Sequence, residues 1–414
     1  MSCHEHLALS RRGLIGGSAS LALWSLIPRA AVAGSREPRL LTIVLRGALD
    51  GLALAAPAGD PEYSRLRSRL ALPREGDHAG LPLDGFFLLN AAMPYLHGLY
   101  GKREALIVHA VATPYRGRSH FDGQDVLESG LGGVQRADEG WLNRALQGLP
   151  HAGRSAPQKG LAMAAVVPLV MRGRASVLTY SPKAYSAPLR EATIQRLSDL
   201  YAAADPALAK AFAEGVEIDR VANGAAAVSP LKGAKAGQPG GKAFKDFVET
   251  AAAAARFMSA AEGPRVGALA FDGWDTHANE GAITGLLANR LAGLDAALKT
   301  FGEGMGAAWK DTVVVVVTEF GRTVAINGTD GTDHGTATVA LVLGGAVKGG
   351  RVLADWPGLG AKALYEGRDL SPTRDLRSIL KGVLRDHLGI PDEALAGAVF
   401  PGSASVRAID GLLA

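Results

Sequence analysis

Three short, continuous, β-branched apolar runs, residues 41–45, 105–111 and 312–318, constrain this chain more than any other feature. A run with no polar alternation has no solvated face. Each therefore predicts a strand buried on both sides of a parallel sheet rather than a half-exposed antiparallel strand. Helical patterns lie between the runs. Residues 282–301 place Leu286, Leu287, Leu291, Leu294, Leu298 and Phe301 mostly three or four apart, with Arg290 at the edge of the stripe. Residues 243–260 put Phe244, Phe247, Val248 and Ala251 on one side, and residues 373–388 read as a surface helix opened by Ser371-Pro372. Strands and helices in alternation predict an α/β fold, a doubly wound and mostly parallel sheet with flanking helices.

The strands also say where chemistry belongs, because ligands of a parallel sheet gather beyond its carboxyl ends. The first run leads into Arg46-Gly-Ala-Leu-Asp50, and the third into Glu319-Phe320-Gly321-Arg322. A fourth apolar stretch, 266–270, leads into Asp272-Gly-Trp274-Asp275-Thr-His277, while Asp333-His334 lies just before the apolar run 339–343. Asp275 and His277 alternate by two, so an extended loop turns both to one side. With His334 they form an oxygen-and-imidazole set suited to zinc or another divalent ion, with a position left for water. Asp50, in its glycine-flanked turn, reads either as a metal ligand or as a turn aspartate. Glu319 is a strand-end carboxylate, and Trp274 a packing wall. Arg322 reads as a bidentate clamp for an anionic group, or as a salt bridge to Glu319 or Asp333. After the second run, Ser119 reads either as a nucleophile or as the N-cap of the next helix. His120 beside it reads as ligand, general acid or hydrogen-bonded structural histidine.

The amino terminus is a targeting segment. Arg11-Arg12 precede an apolar, small-residue stretch through Leu26, and Ala31-Val32-Ala33 fits a small-x-small cleavage site. The expectation is a Tat signal over residues 1–33, the Tat translocase as partner during export, and a periplasmic or secreted mature chain. Cleavage removes the single cysteine, Cys3, so a metal site must be built from oxygen and imidazole. It also lowers the formal net charge from +4 to +2, since Arg11, Arg12 and Arg29 leave with Glu5, and nothing argues for nucleic acid. No other hydrophobic run is long enough to span a membrane. Residues 34–414 are expected to form one domain, with a cap or flexible insertion over about 130–242 whose 221–242 stretch is small-residue and flexible.

Taken in order, these segments resemble family 1501 of domains of unknown function, which is similar to a distant branch of the alkaline phosphatase and sulfatase superfamily. The resemblance is carried by the twin-arginine signal, the Arg-Gly-x-x-Asp50-Gly turn, Arg118-Ser119-His120-Phe121-Asp122, Gly273-Trp274-Asp275-Thr276-His277, Thr318-Glu319-Phe320-Gly321-Arg322-Thr323 and Gly331-Thr332-Asp333-His334-Gly335. It implies a parallel sheet with a metal centre at its carboxyl edge. It makes Asp50 the first-strand metal aspartate and Ser119 the nearest match to the nucleophile. Asp275, His277 and His334 become ligands of one metal, and Glu319 stands in the place of a strand-end aspartate. Phe320 stands where a histidine is expected, so a ligand of a second metal is missing, and the Asp275-x-His277 spacing is shorter than in the alkaline phosphatases.

Two functions follow. One is an exported hydrolase of phosphate or sulfate esters, dependent on a divalent metal such as zinc, manganese or calcium, with an anionic small molecule or glycan as substrate. The other is a non-catalytic envelope binding protein that kept the fold and lost part of the metal site.

Overall fold

The computed structural model describes residues 37–149, 160–182, 191–206, 208–213, 215, 216 and 241–414. The twin-arginine segment and most of the 221–242 stretch lie outside the described residues.

Strand β1 (Arg39–Arg46) sits inside a nine-stranded sheet, and its side chains alternate between two cores. Leu41, Ile43 and Leu45 face a cluster that holds Leu287, Leu291, Leu294 and Phe301, whereas Leu40 and Val44 face Ile379, Leu380 and Val383. β2 (Ala105–Ala112) and β6 (Thr312–Val317) are buried at every position, as their unbroken apolar runs predict. In chain order the remaining strands are β3 (Gly160–Ala162), β4 (Val177–Thr179), β5 (Val266–Asp272), β7 (Thr338–Leu343), β8 (Arg351–Leu353) and β9 (Arg374–Asp375). The spatial order is β8-β2-β7-β6-β1-β5-β3-β4, with β9 also paired to β2. β1 is parallel to β5 and β6. β7 runs antiparallel to both β6 and β2. This reversal brings the amino-terminal lead-in of β7, residues 331–337, to the edge where β1, β2, β5 and β6 end.

β3 and β4 extend the main sheet beyond β5, so residues 160–162 and 177–179 of the expected insertion belong to the sheet itself. Helices α5 (Gly241–Ser259) and α6 (Leu286–Met305) cover one face, and α7 (Leu376–Leu388) covers the other. Two of these boundaries differ from the sequence expectation. α6 starts after Gly285, whose φ of 137° ends the preceding loop. α7 is capped by Asp375, which accepts from Arg377 N at 2.8 Å, and Ser371-Pro372 lies outside it. Nor is α7 a surface helix. The carboxyl-terminal tail covers its polar side, where Lys381 Nζ donates to the carbonyls of Ser403 (2.7 Å) and Val406 (2.8 Å).

Helix α3 (Pro94–Gly101) has Met93 at its N-cap and so no side chain to accept its first amides. Asp295 on α6 accepts from Tyr95 N and Leu96 N, both at 2.9 Å. A carboxylate from another helix thus supplies the cap. Burial pushes that carboxyl up to about 6.

Candidate metal centre

Each loop at the carboxyl edge delivers one part of a site. Beyond β5 the chain turns through Gly273 and buries Trp274, whose indole N–H donates to Phe271 O at 2.9 Å. This fixes the extended segment that presents Asp275 and His277. Beyond β1, Gly47 sits at φ 117° against that segment, and a Cβ there would lie 2.6 Å from Asp275 N. Only glycine lets the two loops meet this closely. Beyond β2, helix α4 (His120–Ser129) begins, and ahead of β7 comes His334.

Ligand atoms of His120, Asp275 and His334 all lie within 4.8 Å of one another. His120 Nε2 is 3.4 Å from Asp275 Oδ2, and His334 Nε2 is 3.2 Å from Asp275 Oδ1. His277 joins from the exposed side, its Nε2 3.0 Å from both Asp275 Oδ1 and His334 Nε2. Donors on a tetrahedral ion with bonds of about 2.0–2.1 Å are separated by roughly 3.3 Å, which is the spacing found here.

The far side of each imidazole shows which nitrogen is free. His334 Nδ1 lies 2.7 Å from the carbonyl of Arg118, which can only accept, so Nδ1 carries the proton and Nε2 presents a lone pair. Burial, with the charges of His120 and Arg322, holds that imidazole below its ordinary pKa. His277 Nδ1 is 3.3 Å from Asp333 Oδ1, which likewise turns its Nε2 lone pair forward. His277 Nε2 and His334 Nε2 face each other at 3.0 Å, a contact that a proton on one ring or a bound cation satisfies. His120 Nδ1 donates to Glu319 Oε1 at 2.8 Å, and its Nε2 is buried without a hydrogen-bond partner. The bond to Glu319 and the charges of Glu319 and Asp275 raise the His120 pKa, so this position too is set for positive charge. The donors fit a divalent ion.

Glu319 is therefore not among the converging ligand atoms. It is fully buried, its Oε1 accepts from Gly47 N (2.8 Å), His120 and Gln124 Nε2 (3.2 Å), and its Oε2 from Thr318 Oγ1 at 2.9 Å. Burial opposes its ionisation, but these bonds keep its pKa below the ordinary value. His120 takes the first of its three expected readings and faces the site, whereas Glu319, expected as a ligand, orients it. Phe320 stacks on His120 at 5.0 Å and 22°, and packs against His334 at 5.3 Å. It is the rear wall of both imidazoles.

Arg322 is buried and committed. Nη1 donates to Asp275 Oδ1 at 2.6 Å, Nε to Thr332 Oγ1 at 3.0 Å, and Nη2 to the Thr332 carbonyl. Rather than clamping an incoming anion, it holds Asp275 and keeps that carboxyl below its usual range against the opposing effect of burial. Arg118 is also engaged, by Asp369 and Glu366. Ser119 is the N-cap of α4, its Oγ accepting from Asp122 N over a long 3.4 Å.

Asp50 stands apart from the converging ligands. Its Oδ1 accepts from Leu52 N (3.0 Å) and Ala53 N (3.2 Å), capping the short helix α1 (Gly51–Leu54), and its Oδ2 is ion-paired with Arg67 at the end of α2 (Tyr63–Arg67). Gln124 and Thr332 had no role assigned from sequence. Gln124 sits four residues after His120 on the same helix face, a spacing that links them. Thr332 gave no local signal.

Residues 104–395 match the family described as "Protein of unknown function (DUF1501)". The chain belongs to that family. No curated protein matches it. Among solved structures it is similar to the phosphonate monoester hydrolase of Agrobacterium radiobacter, with 11% identity and a TM-score of 0.39 over 86% of this chain and 74% of that one. It is similar, too, to a protein in the alkaline phosphatase superfamily from Vibrio parahaemolyticus (12% identity, TM-score 0.33, 77% of this chain and 62% of that one). A third is the C-terminal periplasmic domain of EcEptC from Escherichia coli in complex with Zn (10% identity, TM-score 0.29, 75% of this chain and 74% of that one).

Proposed function

We propose that this DUF1501 protein is a metal-dependent hydrolase of phosphate or sulfate esters, working at the carboxyl edge of the sheet after export. The observation that carries the reading is the convergence of His120, His277, His334 and Asp275 with their lone pairs turned inward. A bound divalent ion would supply positive charge to neutralise an anionic ester and polarise the bond to its leaving group. The chain's own part is preorganisation. Glu319 holds His120, the Arg118 carbonyl holds His334, and Arg322 holds Asp275, so the donors need no rearrangement to act. His277 and Asp275, about half and two-fifths exposed, leave the mouth open to substrate. Ser119, one residue before His120, has a hydroxyl proton that its cap does not use, and is the candidate nucleophile. Exposed Arg116, which donates to the carbonyls of Thr113 and Tyr115, is a candidate cation for an anionic small molecule or glycan.

One observation favours a second reading, that of an envelope binding protein: Arg322, the expected anion clamp, and Arg118 near it in the site are both spent on carboxylates of the chain. The two readings separate on purified mature protein made without chelator or polyhistidine tag. A hydrolase contains near-stoichiometric metal and turns over an ester in a substrate screen. Metal-bearing protein with no turnover on any phosphate or sulfate ester leaves the binding role, and protein that stays folded but refuses added metal ends the hydrolase reading and also leaves the binding role. Export is tested by changing Arg11 and Arg12 to lysine, which should retain the chain in the cytoplasm. Among the described residues no helix is long and apolar enough to cross a membrane.

A further inference from the structure

Behind the candidate centre lies a second group of charges, closed to solvent. Asp50, Arg67 and Glu280 are all buried, and Arg67 Nη2 pairs with Asp50 Oδ2 and lies 3.9 Å from Glu280 Oε1. Arg67 Nη1 donates to the carbonyls of Thr323 (3.2 Å) and Val324 (3.3 Å), which ties it to the loop after Arg322. Glu280 Oε2 accepts from Thr332 Oγ1 at 2.6 Å, the same hydroxyl accepts from Arg322 Nε at 3.0 Å, and Arg322 Nη1 reaches Asp275 Oδ1 at 2.6 Å. A continuous buried chain thus runs from Asp50 to a carboxylate of the centre.

Two buried carboxyls side by side are held by a counter-charge, a shared proton, or both. Here the counter-charge is a guanidinium belonging to the chain. Asp50 has one oxygen bound to two helix amides and the other to Arg67, so neither is turned to an ion. Resting on the metal reading above, we infer that the centre takes a single divalent ion, that Arg67 is the fixed cation for Asp50, and that Glu280 and Thr332 are positioning residues acting on Asp275 through Arg322.

The inference makes a count and an ordering. Titration of metal-stripped mature protein with zinc alone, read by calorimetry and native mass spectrometry, should give one ion per chain. Asp50→Asn, which keeps a helix-capping oxygen, should leave that count and the affinity within about twofold. Asp275→Asn should weaken zinc by roughly tenfold or more, and Thr332→Val, equal in volume but without the hydroxyl, by roughly tenfold, the scale expected when a group that orients a ligand is lost. If Asp50→Asn does not fold because Arg67 is left buried and unpaired, Asp50→Asn/Arg67→Met removes both charges and should again bind one zinc. Two ions per chain, or an Asp50 variant that loses zinc as Asp275→Asn does, would overturn the single-ion assignment while leaving the metal centre standing. Unchanged affinity in Thr332→Val would overturn the positioning role. Folded wild-type protein that binds no zinc would overturn the metal reading and this inference together.

Discussion

Two clusters of acidic and basic side chains sit at the same edge of the sheet, and they differ in what balances their carboxylates. Around Asp50 the balance is internal: Arg67 is sealed in with it, and Glu280 beside them has its pKa pushed up to about 9 by burial and by the charge of Asp50. Around Asp275 the balance is incomplete. Arg322 takes one oxygen, but three imidazoles crowd the same carboxylate with their Nε2 atoms forward, and the cluster opens to solvent. A carboxylate satisfied by its own chain stabilises an interior, whereas one ringed by imidazoles at an opening can hold a cation.

The largest effect that sharpens this contrast falls on the open cluster. His120→Ala/His334→Ala should abolish metal retention, seen by elemental analysis, while the far-ultraviolet circular dichroism stays unchanged; retained metal would move the site elsewhere. The closed cluster should respond in the opposite way. Arg67→Ala leaves Asp50 charged and buried without its partner, at a cost of about 3–5 kcal/mol. Urea denaturation measures this, and a loss below about 1 kcal/mol would show that the pair is not a structural one. Intermediate is Glu319→Gln, which keeps the shape but weakens the hold on His120. Metal affinity should drop roughly 10- to 100-fold with little change in the unfolding midpoint of the metal-free protein.

A pH series probes the closed cluster by itself. Glu280 ionises near 4.5 when unfolded and near 9 in place, so the folded state holds the extra proton between those values. Its contribution to stability is complete below about 4.5 and is lost as pH rises through about 9. Glu280→Gln mimics the protonated form and should flatten that decline; parallel stability curves for the two proteins would remove Glu280 from the pair. Smallest of all is Ser119→Ala, which deletes a long capping bond worth about 0.5–2 kcal/mol. Ser119→Asp should restore the cap. Turnover lost in both variants would mark Ser119 as the nucleophile, and turnover recovered in the aspartate variant would leave it a cap.

Much of this was legible from local pattern. Runs without a polar face had to be buried on both sides, and so β1, β2 and β6 could be placed before any coordinate. Asp275, His277 and His334 stood out because imidazoles and carboxylates clustered after, or just before, such runs. The roles of Asp50, Glu319 and Arg322 were not legible, since each depends on a partner far along the chain: Arg67, His120 and Asp275 respectively. α7 failed for the same reason. Its polar residues look solvated until the tail at Ser403 and Val406 covers Lys381.

The sequence by itself determined the central strands, because burial on both faces is written in each of their runs, and it determined the donor types available at their ends. Tertiary structure alone decided which donors meet. The reversal of β7 carries His334 to the shared edge, and the side-by-side ends of β1, β5 and β6 choose which carboxylate faces an imidazole lone pair and which faces a guanidinium. The physical reason is that a carboxylate's chemistry is set within a few ångströms by the charge opposite it, and that neighbour is chosen by the packing of strands far apart in the chain.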